Sequence, residues 1–324
     1  MKAFITGGAG FIGSNLVDRL LKEGNQVTVY DNLSTGKEEF ISHNYKNKNF
    51  RLIKKDLLNL KDLKEAIKGH DAIFHLSSYA DIAGGMSRDP MFDIKQNLIA
   101  TYNVLQAMRV NNIKKIVFSS SATVYGDPTI FPTPETYGPM IPISIYGAMK
   151  LADEALIASY CHMFDFQAWV FRFAKVIGER YSHGVIFDFI KKLKQNPKEL
   201  LILGNGKQKM TTVHVNDLID AILLCFEKTN DSYNLHNIGN TSWIEVNKIA
   251  DLVCEELKLK NVKYNYTGGE RGWRGDQPKV FLDISKLMKL GWKPKINVEE
   301  AIKLSIRYLL ENPDLLRRDL SFPQ

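Results

Sequence analysis

Short apolar runs of strand length alternate with amphipathic stretches through the first half of the chain. Residues 2–6, 26–31, 50–54, 72–76, 115–119 and 167–173 read as buried strands. Residues 14–22, 60–67, 90–110 and 146–164 read as helices, the third with Ile94, Leu98, Tyr102 and Leu105 at helical spacing. Alternation of this kind predicts an α/β fold, a doubly wound parallel sheet with helices on both faces. The second half is less regular. Helices are expected at 185–194, 216–226, 243–256 and 298–310, with short strands and a glycine-rich stretch, 268–275, between them. No tandem repeat or low-complexity linker separates the halves. The expectation is a domain of residues 1–174 and a smaller C-terminal α/β substrate lobe of residues 175–324, with interleaved segments and a working cleft between the two.

Composition narrows the classes. With 44% hydrophobic residues in 324, the chain can bury a sizeable core. No apolar run approaches the ~18 residues of a membrane span. The first 13 residues are apolar, but Gly7, Gly8, Gly10 and Gly13 punctuate them, which is not the pattern of a signal peptide. The net charge of +7 suits an anionic ligand, yet no run of five basic residues occurs, so no nucleic-acid groove is expected. Cys161, Cys225 and Cys254 are far apart, with no CxxC pair; neither a metal site nor a disulfide framework is expected, which suits a reducing cytoplasm.

The segment Thr6-Gly-Gly-Ala-Gly-Phe-Ile-Gly13 follows the first strand and opens a helix. Gly7, Gly10 and Gly13 permit a tight turn, a close backbone approach to a pyrophosphate, and close packing of helix on strand. The helix N-terminus offers backbone N–H groups and the positive end of the helix dipole to an anion, and Phe11 and Ile12, within the loop, are expected at the cofactor. Asp31 ends the second strand 18 residues after Gly13 and is placed to accept ribose hydroxyls; it would repel a 2′-phosphate, so NAD is expected rather than NADP. Asn32 adjoins it. Asp56 and Leu57, after the third strand, are expected near the adenine, with a helix N-cap as the other reading of Asp56. Leu76, Ser77 and Ser119 lie at strand ends where such a cofactor sits. His75 reads as a satisfied core histidine, and the spacing does not decide what Asn97 does.

Tyr146 and Lys150 are four residues apart and so share a helix face. A nearby ammonium group lowers the pKa of a tyrosine, which makes it a usable acid/base. The fifth strand ends in Ser119-Ser-Ser-Ala-Thr-Val-Tyr-Gly126, where the Ser121 or Thr123 hydroxyl can bridge a substrate oxygen and the phenol.

The glycine loop, this serine-rich strand end and Tyr146-Gly-Ala-Met-Lys150 together resemble the extended short-chain dehydrogenase/reductase family, and within it the nucleotide-sugar epimerases of the UDP-glucose 4-epimerase type. The resemblance covers nearly the whole chain. It implies a Rossmann-type fold, bound NAD, Tyr146 as base, Lys150 on the nicotinamide ribose, and a nucleotide-diphosphate sugar. The sugar C4 hydroxyl would be oxidised to a ketone and reduced again from the other face. It also implies a homodimer through a four-helix bundle built from helices 90–110 and 146–164.

Several positions depart from the family pattern. Its dehydratases place Asp-Glu after the catalytic Thr, whereas Ala122 and Thr123 follow Ser121 here, so 4,6-dehydration is not expected. Lys175 stands where a substrate-contacting Asn is usual, and Met210 where an Arg is usual. Ser77 and Ser78 replace small Ala residues. The later Arg of the family is represented by Arg271 or Arg274, with Arg271 favoured; Lys175 and Arg271 together are expected to compensate the diphosphate charge. Two alternatives stay open: a nucleotide-sugar 4-dehydrogenase that releases its 4-keto product, and a non-catalytic NAD-binding regulator.

Overall fold

The computed structural model describes residues 1–82, 88–181 and 183–317. The strands are β1 (Lys2–Thr6), β2 (Gln26–Tyr30), β3 (Phe50–Ile53), β4 (Ala72–His75), β5 (Lys115–Ser121), β6 (Gln167–Phe173), β7 (Lys175–Ile177), β8 (Glu199–Ile202), β9 (Lys209–Met210), β10 (Thr212–His214), β11 (Tyr233–Ile238), β12 (Ile244–Glu245), β13 (Lys263–Tyr266) and β14 (Lys279–Val280). Seven of them form one sheet in the order β11-β6-β5-β4-β1-β2-β3. The ladders joining β3, β2, β1, β4 and β5 are parallel. Strand β4 is buried at every residue and β1 at all but its first, which is why both read as unbroken apolar runs. The order reverses between β1 and β4, and a sheet of this kind binds ligands beyond its strand ends at such a point.

Helices α1 (Phe11–Lys22), α2 (Leu60–Ala66), α3 (Pro90–Asp93), α4 (Ala100–Val110) and α5 (Ile145–Phe164) accompany these strands. Their starts are written in the local sequence. Asn59 caps α2 by accepting from the Asp62 amide, Asp89 caps α3 with Pro90 in the first turn, and Ser144 caps α5 by accepting from the Gly147 amide at 3.1 Å. Asp56 is thus not the α2 cap.

The single helix expected over 90–110 is interrupted. A π-helical stretch, Ile94–Ile99, joins α3 to α4. The cause lies in Asn97, whose Nδ2 donates to the Asp93 carbonyl at 3.2 Å, the acceptor an α-helix would reserve for its backbone N–H.

The chain divides into two compact units. The first comprises Met1–Val124, Ser144–Arg172 and Ile222–His236; the second comprises Tyr125–Ile143, Phe173–Ala221 and Asn237–Gln324. The chain therefore passes between units at several points, of which 172/173 is one. The second unit contains the ladder β7–β10, the small sheet β12-β9-β14 and the pair β8–β13. Helices Val185–Gln195, Val246–Glu256 and Val298–Glu311 pack on one another there.

Candidate active site

The glycine loop has the geometry its spacing requires. Gly7 has φ of 69°, and a Cβ on it would stand 2.7 Å from the Ser77 Cα; a Cβ on Gly13 would stand 2.1 Å from the Gly7 carbonyl oxygen. No larger residue fits at either place without moving backbone. The loop closes through Gly10 N–H on the Gly7 carbonyl, and α1 starts on Gly10, which brings no side chain to its first-turn amides.

Asp31 is nearly buried at 8% exposure. One carboxylate oxygen accepts from the Ala9 amide at 3.0 Å, the other from the Leu33 amide at 2.8 Å. Burial raises its pKa against these two hydrogen bonds. Each oxygen keeps a lone pair for a further donor. Asn32 donates to Asp56 at 2.9 Å, and Asp56 also accepts from the Leu58 amide. A pocket of the first unit brings together Gly7, Gly10, Asp31, Asn32, Asp56, Leu57, Leu76 and Ser77. It also takes in Ser78, and Ser34, Thr35, Gly36, Lys55, Tyr79 and Gln96, of which the last six were not singled out from the sequence. For Ser34, Thr35 and Gly36 the polar, loop-like run after Asp31 was the available signal. Phe11, Ile12 and Gly13 stand at the start of α1, outside that lining.

Tyr146 and Lys150 occupy the first turns of α5, next to the end of β5. The Lys150 ammonium is buried, donates to the Ser119 carbonyl at 2.8 Å and stands 5.7 Å from the Tyr146 ring centre. Ser119 Oγ itself turns back to the His75 carbonyl. Ser121 Oγ accepts from Thr123 Oγ1 at 2.9 Å. The spacing predicts a lowered tyrosine pKa, and here the structure differs. Desolvation pushes the Tyr146 phenol up to about 12, with the side chains of Ser78 and Ser121 pulling it down and the charge of Asp153 adding to the rise. Lys150 is itself pushed down to about 8 by burial. The low-dielectric surroundings act on both groups more strongly than the lysine acts on the tyrosine.

Asn97 and Ser78 are explained together. Asn97 Oδ1 accepts from Ser78 Oγ at 2.8 Å and from the Tyr79 amide at 3.0 Å, so the π-helical stretch pins the loop that carries Ser78 to the phenol. His75 is satisfied: Thr101 donates to the Asn97 carbonyl, so His75 Nε2 donates to Thr101, and His75 Nδ1 accepts from Thr6 Oγ1 at 2.7 Å. Burial holds this ring neutral, with a pKa down at about 3.

In the second unit, Lys175 is partly exposed on β7. Burial lowers its pKa, and the carboxylate of Asp276 opposes the shift. The Arg271 fork lies on Asp127 at 3.0 and 2.8 Å and also donates to the Asp276 carbonyl. Met210 lies between Ile244 and Val280 on neighbouring strands, while Lys209 turns to Glu245 and the Trp243 ring.

The sequence profile of the NAD dependent epimerase/dehydratase family matches residues 3–239. The chain belongs to that family. It is similar to a protein of Methanocaldococcus jannaschii that carries the provisional name UDP-glucose 4-epimerase, with 32% identity over 95% of this chain and 98% of the relative. Among solved structures, a UDP-galactose 4-epimerase superposes with a TM-score of 0.86 at 37% identity, over 96% of this chain and 99% of that one. The Thermotoga maritima UDP-glucose 4-epimerase with UDP-glucose gives 0.85 at 32% identity, over 97% and 100%. As a family member the chain is an NAD-dependent enzyme of Rossmann-type fold. The glycine cradle, which any Cβ at Gly7 or Gly13 would fill, and the Asp31 carboxylate fit that cofactor. Among the described residues no group of His, Cys, Asp and Glu is placed to hold a metal ion, and no helix is long and apolar enough to cross a membrane.

Proposed function

We propose that this enzyme interconverts the C4 epimers of a UDP-sugar through a transient 4-keto sugar, with NAD in the pocket of the first unit. The observation that carries the reading is the gathering of Tyr146, Lys150, Ser121 and Ser78 at the end of β5, in the unit that also holds the glycine cradle. The uridine nucleotide is supported by the relatives, which act on UDP-sugars. Bound NAD supplies the hydride acceptor and donor. Tyr146 takes the proton of the C4 hydroxyl as the sugar is oxidised to the ketone, and returns it to the C4 oxygen when the ketone is reduced from the opposite face. Ser121 and Thr123 orient the C4 oxygen. Lys150 steadies the nicotinamide ribose and offsets the phenolate charge. The test is incubation with UDP-glucose, UDP-galactose, UDP-N-acetylglucosamine and UDP-glucuronate. A C4-inverted product without net build-up of NADH supports the reading; stoichiometric NADH with a released ketone overturns it in favour of a 4-dehydrogenase.

Asp31 is proposed to accept the adenosine ribose hydroxyls. Asp31→Ser should narrow the preference for NAD over NADP by about tenfold, because it removes a charge that repels the 2′-phosphate. The ratio of the two dissociation constants measures this, and an unchanged ratio refutes the placement.

Lys175 and Arg271 are proposed to face the diphosphate where Met210 brings no charge. The Arg271–Asp127 pair is about 40% exposed on each side, so it is weak enough for a diphosphate to replace Asp127. Lys175→Ala should weaken UDP-sugar binding by about tenfold or more, the worth of a charged hydrogen bond, and leave NAD affinity unchanged. Unchanged UDP-sugar affinity measured by titration calorimetry would remove Lys175 from the site.

The assembly is proposed to be a homodimer through a four-helix bundle to which each chain gives the stretch 90–110 and helix α5. In support, Met91, Ile99, Tyr102, Val110 and Met163 are apolar and exposed along α3 to α4 and α5. Three buried cysteines, none of them in a disulfide, suit a cytoplasmic location.

A further inference from the structure

Asp153 lies one turn beyond Lys150 on α5, fully buried, and neither of its carboxylate oxygens has a hydrogen-bond partner. A buried carboxylate without donors is costly unless a positive charge stands near it. The charged and polar groups around it are mostly committed elsewhere. On α5, Glu154 is paired with Arg172 of β6 at 2.6 Å and accepts from Ser120 of β5. From α4, the Thr101 hydroxyl donates to the Asn97 carbonyl and also stands close enough to Asp153 to lower its pKa; from β4, His75 is neutral. In the π-helical stretch, Asn97 is held by Ser78 and Tyr79, and on α3 Asp93 is paired with Arg88. The cation that acts on Asp153 is Lys150.

We propose that Asp153 is a positioning residue for the reaction: buried one turn along α5 from Lys150, its carboxylate holds the protons of Tyr146 and Lys150 and so sets the pH range in which the pair works. The inference rests on the proposed roles of Tyr146 and Lys150. Burial pushes Asp153 up to about 7, while Lys150 and the Thr101 side chain pull it down and Glu154 adds to the rise. Asp153, and after it Glu154, works against the fall of Lys150, and Asp153 adds to the rise of Tyr146. Above about pH 7 the carboxylate is charged. It then stabilises the ammonium and disfavours the phenolate, so both groups keep their protons to higher pH than they would beside a neutral side chain. The pair titrates in coupled steps, and loss of this negative charge moves both steps down.

The experiment compares Asp153→Asn with wild type as the NAD-loaded enzyme. Asparagine keeps the shape and removes the charge. The first readout needs no substrate: the pH dependence of tyrosinate absorbance, each protein minus its Tyr146→Phe counterpart. The second is the pH profile of kcat/KM for a UDP-sugar. The proposal expects tyrosinate formation and both limbs of the profile to move to lower pH by about one unit, with NAD affinity unchanged, and Asp153→Glu to restore the wild-type positions. Lower activity at unmoved limbs and unmoved tyrosinate formation overturns it, since a packing role alters amplitude only. Should Asp153→Asn not fold, Asp153→Ser carries the same comparison. Should wild type turn over no UDP-sugar, the proposed function fails while the absorbance titration still decides the role of Asp153.

Discussion

Tyr146→Phe keeps the fold and bound NAD but loses about two or more orders of magnitude in turnover, the range expected when an acid/base group is removed. The substitution deletes one oxygen and leaves the ring in place between α5 and the end of β5. Ser78 and Ser121 are the other hydroxyls at that point, and neither ionises near neutral pH, so neither replaces a phenolate. The measurement is kcat alongside the NAD content of the purified protein and its melting temperature. Turnover near that of wild type would remove Tyr146 from the proton-transfer role.

Arg172→Met is expected to destabilise the protein by about 3–5 kcal/mol, because it strands the Glu154 carboxylate in the interior. The pair is 3% and 5% exposed, with Arg172 Nη2 to Glu154 Oε2 at 2.6 Å and Nε to Oε1 at 3.0 Å. Ser120 also donates to Glu154, so one carboxylate ties helix α5 to strands β5 and β6. Those are the elements that carry Tyr146, Lys150 and Ser121. Chemical denaturation measures the loss. The double variant Arg172→Met with Glu154→Gln should recover most of it, since no charge is then left buried; a double variant as unstable as the single one would show that packing rather than charge is responsible.

The sheet and the cofactor loop were legible in the residues alone because local physics decides them. Strands covered on both faces have no polar side, so β1 and β4 stand out as apolar runs. Glycines that must turn tightly and admit close backbone have no substitute, and the positions of Gly7 and Gly13 therefore announce the loop. A four-residue spacing on a helix puts Tyr146 and Lys150 on one face wherever that helix lies.

What only the tertiary structure decided depends on burial and on contacts far apart in sequence. In the sequence, Asp153 and Glu154 are two adjacent acids on a helix, and nothing local marks them for burial. Packing of α5 against the sheet buries both, gives Glu154 an arginine from β6 and leaves Asp153 with Lys150. The sign of the Tyr146 shift is another such case. Spacing supplies the neighbouring ammonium, but the degree of desolvation, which outweighs it, exists only after the chain has closed around the pair. Periodicity likewise runs smoothly through Asn97. The π-helical turn there arises because a side-chain amide takes a backbone acceptor while it also holds the loop after β4, a competition that needs both segments in place.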